Sequence, residues 1–186
     1  MRWDDLFADL EAQFDELELA ELEAEIAERT RVELSRIRLV DRMRATAGRT
    51  ITVKVRGLAE PLVGRLDRGG TDWLLLTTAT GVETVVNLRS VTRLGGEVSP
   101  RADDPLVGGA LARLGLAHVL RGISRDRSTV RLTLVDGSQL TGTVDRVGTD
   151  HVDFAEHEAD IPRRRAGVRG TWVIPFGSLS AVRRGG

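Results

Sequence analysis

At 186 residues, with 41% hydrophobic and 30% charged side chains, the chain has the composition of an ordinary soluble globular protein of one domain or two small ones. It contains no cysteine, which excludes disulfides, thiolate metal sites and cysteine nucleophiles and leaves the cytoplasm as the expected compartment. The net charge of −1 conceals an asymmetry: residues 1–30 carry eleven acidic and two basic side chains, the remainder seventeen acidic and twenty-five basic.

The N-terminus, MRWDDLFADLEAQFDELE, is acidic where a secretory leader needs a basic start. No apolar run approaches the ~20 residues of a membrane span, so no contact with a membrane is expected. Ala, Leu, Glu and Arg dominate as far as Gly48, the first glycine, and predict helix. Trp3, Phe7, Leu10, Phe14 and Leu17 fall on one helical stripe, a candidate face for a partner helix, while Leu19, Leu22 and Ile26 lie on a displaced face. A second stripe begins with Leu34, Ile37, Val40 and Met43. The reading is an acidic helical arm over 1–32 and a shorter helix over about 33–45.

From Thr50 the period changes to two. Ile51, Val53 and Val55 alternate with Thr52 and Lys54, and 62–66, 73–77, 84–88 and 91–94 supply four more short strands. A turn-rich linker follows over 97–104, after which Asp104 is placed to cap a helix with Pro105 at its first position, running through Leu106, Leu111, Leu114 and Val119. Strands then return: Val130, Leu132 and Leu134 alternate into the hairpin signal Asp136-Gly137, followed by 140–144, 151–154, 171–176 and 179–182.

The chain also repeats itself. GRLDRGGTD at 64–72 and GTVDRVGTD at 142–150 agree at six of nine positions, and VVNLRSVTRL at 85–94 lies over VIPFGSLSAV at 173–182 at one constant offset. Each half is therefore a helix followed by five short strands, with Gly64 and Gly142 at a bend or close backbone approach. Two copies indicate a duplication rather than a solenoid.

The second half, VRLTLVDGSQLTGTV with VRGTWV and VIPFGSLSAV, resembles the Sm/LSm/Hfq family of small β-barrels; the likeness covers roughly 119–182 and, more weakly, 40–94. The chain is also similar to a class of uncharacterised actinobacterial proteins with an acidic N-terminal helix, which implies no activity. The resemblance implies an α+β, mainly β fold: two tandem Sm-like five-stranded barrels, each preceded by a helix, plus the long acidic N-terminal helix. The domains would be 1–32 for the arm, 33–96 for the first barrel with its helix, 97–104 for the linker and 105–186 for the second. Edge pairing as in the family's rings would either join the two barrels of one chain and leave a monomer, or make the protein a homo-oligomer. The turn Val-Gly-Thr-Asp-His at 147–151 lacks the asparagine of the family's RNA-binding turn, and Ile174-Pro175-Phe176 stands where Hfq has Tyr-Lys-His. The family's RNA pocket therefore does not carry over.

From Ile161 onward there are six arginines and no acid. Arg163, Arg164, Arg165 and Arg169 are the candidate nucleic-acid-binding residues, with Trp172 or Trp73 to stack bases if strand parity does not bury them. The expected function is non-catalytic binding of RNA or single-stranded DNA, with the acidic arm as a charge-matched gate. The alternative is a protein-protein adaptor docking through that arm. Asp150, His151, Asp153 and His157 are dense in ligand types, but their geometry favours no metal, and His118 reads as structural or exposed. No GxSxG elbow, phosphate loop or HExxH is present, so neither catalysis nor a cofactor is expected.

Overall fold

The computed structural model describes residues 3–102, 110–158 and 169–184, which divide into two compact units, Met1–Arg38 and Leu39–Gly186. The first unit is one 34-residue helix, α1 (Trp3–Arg36). Exposed pairs Arg29–Glu25 at 2.7 Å and Arg31–Glu28 at 3.5 Å lie one turn apart on it. Such pairs contribute only a few tenths of a kcal/mol. Trp3, Phe7, Leu10, Phe14 and Leu17 lie within α1, but their side chains are outside the described ones. The expected helix over 33–45 is divided: its first residues complete α1, and after Ile37 and Arg38 a short α2 (Leu39–Arg44) begins.

Among the described residues the second unit carries ten strands: β1 (Thr50–Val55), β2 (Leu62–Gly69), β3 (Trp73–Thr77), β4 (Glu83–Asn87), β5 (Val91–Gly96), β6 (Val130–Leu134), β7 (Gln139–Val147), β8 (His151–Glu156), β9 (Gly170–Pro175) and β10 (Leu179–Arg184). They do not form two barrels in tandem. All ten belong to one antiparallel sheet, ordered β5-β1-β2-β3-β4-β10-β6-β7-β8-β9. The halves meet where β4 pairs with β10, Thr84 opposite Arg183, Val85 opposite Val182 and Val86 opposite Ala181.

The reason lies in β3 and β4, whose sequences WLLLT and ETVVN are apolar on both faces. Trp73 and Val85 enter a core with Leu120, Leu132, Phe154 and Val182 of the second half. Leu74, Leu76 and Val86 point the other way, into a core with Met43, Ile51, Val53 and Leu66. A strand needed by two cores must be covered on both faces and paired on both edges, or its backbone groups are buried unsatisfied. Strand β10 meets that requirement, with Leu179, Ser180, Ala181 and Val182 all buried.

Side chains fasten the same seam. Asn87, 2% exposed, donates from Nδ2 to the carbonyls of Phe176 and Leu179 at 2.9 and 2.8 Å, and the Ser90 hydroxyl reaches Ser180 O at 3.2 Å. The expected linker over 97–104 is described as far as Ala102, and within it Ser99 is held. Ser99 is buried, its N–H donates to Thr46 Oγ1 at 3.0 Å, and its carbonyl accepts from Arg42 Nε at 2.9 Å.

The helix of the second half is also corrected. Asp104, Pro105 and Leu106 lie outside the described residues; Leu111–Arg113 form a 3₁₀ turn, and α3 spans Leu116–Asp126. Its N-terminus is anchored across the halves. Asp72 Oδ1 accepts the Leu116 N–H at 2.7 Å, and Trp73 Nε1 donates to Leu114 O at 2.9 Å. Among the described residues no helix is long and apolar enough to cross a membrane.

Candidate functional site

The repeated phrase builds a bulge. On β2 the register with β3 runs Arg65 opposite Thr77 and Leu66 opposite Leu76, then jumps to Arg68 opposite Leu75, leaving Asp67 as the extra residue. On β7 the same jump falls between Val144 and Arg146, at Asp145. The glycine three residues earlier allows the partner strand to come close: a Cβ on Gly64 would lie 2.7 Å from Thr77 O, and one on Gly142 only 1.9 Å from Ala155 O.

In a regular strand, residues three apart face opposite sides of the sheet. The bulge cancels that alternation, so Arg65 and Arg68 are both exposed while Leu66 between them is buried. Strand β10 brings Arg183 directly opposite Arg131 of β6, and Arg131 in turn is opposite Thr141. Like charges facing each other across a strand pair destabilise it, so an anion seated there relieves a repulsion already present.

Arg65, Arg68, Arg131, Arg183 and Arg184 line one open cleft of about 990 Å³ beside the seam, with Thr77 and Thr141 and two carboxylates, Asp67 and Glu83. Arg65 pairs with Asp67 at 2.8 Å, and the Thr77 hydroxyl also donates to Asp67. Arg184 is 3.8 Å from Asp126. Among the described residues Arg68, Arg131 and Arg183 have no carboxylate partner. Guanidinium groups present planar paired donors to phosphate and carboxylate, so the cleft is suited to oxyanions.

Of the residues singled out in the sequence, Arg163, Arg164 and Arg165 lie outside the described residues. Arg169 is exposed and pairs with Glu158, and it is not part of the cleft. The tryptophans separate: Trp73 is 4% exposed in the core, whereas Trp172 is 50% exposed on β9, its Nε1 donating to Glu156 at 2.7 Å. His151 Nδ1 and Asp150 Oδ1 lie 2.8 Å apart, a contact that holds the Asp150 carboxyl below its ordinary pKa. His157 is buried with Nδ1 against Glu158 O, and His118 is exposed on α3. Among the described residues no three His, Cys, Asp or Glu side chains are grouped to hold a metal ion.

The chain matches no protein-family model, no curated protein and no solved structure, and the cleft stands on its own geometry. Its arginines are scattered over 120 positions of sequence: Arg183 meets Arg131 through the β10–β6 pair, and the seam of β4 with β10 joins them to Arg65 and Arg68. No local pattern marked Arg65 and Arg68 beforehand, because the register jump that leaves both exposed appears only against the partner strand β3.

Proposed function

We propose that this protein is a binding protein for single-stranded nucleic acid, RNA or DNA, held by its phosphates in the arginine cleft. The observation that carries the reading is the row formed by Arg183 and Arg131, two adjacent cations with no carboxylate partner among the described residues, flanked in the same cleft by Arg65, Arg68 and Arg184. The cleft is half open to solvent, which leaves a path for a strand to enter it. The experiment is anisotropy of labelled single-stranded RNA and DNA oligonucleotides at low salt. Joint replacement of Arg131 and Arg183 by glutamate should weaken binding at least tenfold on any sequence. Absence of binding at low salt, or indifference to that replacement, sinks the proposal.

A second reading, a protein-protein adaptor, rests on α1. Leu19, Leu22 and Ile26 are 62%, 54% and 55% exposed at helical spacing, apolar surface that a partner helix would cover. Replacing the three with glutamine should abolish a partner captured by the full chain; retention of that partner removes this reading.

A further inference from the structure

Next to the arginine cleft lies a second cavity, between α3 and the sheet, of about 340 Å³. Its walls are apolar, formed by Trp73, Leu75, Val85, Val119, Ile123 and Val182. Arg68, Leu75, Glu83 and Arg184 line both spaces, so the apolar pocket opens onto the charged cleft. A ligand matching both would carry a compact apolar body on a short tether to an anion.

We infer that the pocket receives one base of the strand bound in the cleft, turned out of its stack, while the adjoining phosphates rest on Arg68 and Arg184. This rests on the function proposed above and gives it a subsite. The volume lies near the lower end of the ~300–1,000 Å³ typical of small-ligand sites, which suits one flat ring system better than a long chain. The polar groups around it, Glu83, His118 and Asp126, the last accepting from the Ser128 hydroxyl, are of the kind that meet the edge of an unstacked base. Asp126 holds Arg184 only loosely, at 3.8 Å, leaving that guanidinium free to turn toward a phosphate. The pocket also offers a means of closing it. Gly122 of α3 is in its wall, and a Cβ added there meets no atom within 4 Å, so a larger side chain can fill the space without displacing backbone.

The test uses the full chain and three probes: a single-stranded oligonucleotide, the same strand made abasic throughout, and dodecanoate as an apolar anion without a base. The intact strand should bind about tenfold more tightly than the abasic one, a difference that burial of a base ring against the apolar walls can supply. Gly122→Leu should lower the affinity for the intact strand to that of the abasic strand and leave the abasic affinity unchanged. Dodecanoate should not displace the intact strand. Equal affinity for intact and abasic strands in the unmodified protein overturns the inference without recourse to any variant. So does a Gly122→Leu protein that loses both strands equally, or displacement by dodecanoate. If neither strand binds at low salt, the nucleic-acid reading itself fails, an outcome distinct from these.

Discussion

Gly142 and Gly64 show how much a single position of the repeated phrase decides. A methyl group at 142 would sit 1.9 Å from the Ala155 carbonyl oxygen and one at 64 would sit 2.7 Å from that of Thr77, both backbone atoms that cannot move without breaking the pairing. Gly142→Ala should therefore cost about 3 kcal/mol and Gly64→Ala less, toward the lower end of the ~1–3 kcal/mol typical of overpacking. Thermal or urea unfolding of the two variants checks the order; equal stability of both with the parent chain contradicts it. Asp136 supplies a pH-dependent counterpart. The Ser138 hydroxyl, and then the Ser138 N–H, hydrogen-bond its carboxylate and hold its pKa below the ordinary value. Because the folded value is the lower one, the contribution is present above the unfolded pKa and lost as pH falls through the folded pKa. Ser138→Ala should raise the titration midpoint of Asp136 seen by NMR. An unchanged midpoint would show that these hydrogen bonds are not the cause. The close approach at the two glycines was legible from their place inside strand patterns, whereas the bulge at Asp67 and Asp145 was not, since the register jump appears only once the partner strands are known.

The strands themselves were largely readable, because alternation such as Ile51-Thr52-Val53 reflects one buried face. Their assembly was not. WLLL at 73–76 and TVV at 84–86 do not alternate, the mark of strands buried on both faces, and it is these that tie the halves into one sheet. The start of α3 was misplaced for a related reason: the carboxylate at its N-terminus is Asp72, 44 residues upstream, and local capping rules see only neighbours. If the seam is as tight as Asn87 indicates, Asn87→Ala leaves the buried Leu179 carbonyl and the half-buried Phe176 carbonyl without their donor. That should cost about 1–3 kcal/mol and, in chemical denaturation, still leave a single transition. Two transitions would mean that the halves unfold separately. The ends of the sheet carry a further expectation. Strands β5 and β9 end the order, and they hold within their halves the places that β10 and β4 hold at the seam. Pairing of β9 in one copy with β5 in another would repeat the internal join. Sedimentation should show self-association that lysines at Trp172 and Val173 weaken, whereas a strict monomer at high concentration would contradict it.

At the scale of the molecule, the segregation of acid into the first 30 residues leaves the rest of the chain with a basic excess, visible in the sequence, but not where that excess gathers. A run such as Arg163-Arg164-Arg165 draws attention because it is contiguous; the cleft is assembled from β2, β6 and β10 and depends on the seam for its existence. Fold and site are thus one claim: the β10–β6 pair places Arg183 beside Arg131, and the seam with β4 brings that pair to the cleft it shares with Arg65 and Arg68, a surface attractive to phosphate. The most direct measurement is the salt dependence of single-stranded oligonucleotide binding by the full chain and by the variant with Arg131 and Arg183 both replaced by alanine. Each phosphate neutralised on a single strand contributes about 0.7 to the slope of log affinity on log salt. The account predicts a steep slope for the parent chain and one shallower by about 1.4 for the variant. A slope that is the same in both proteins would contradict it.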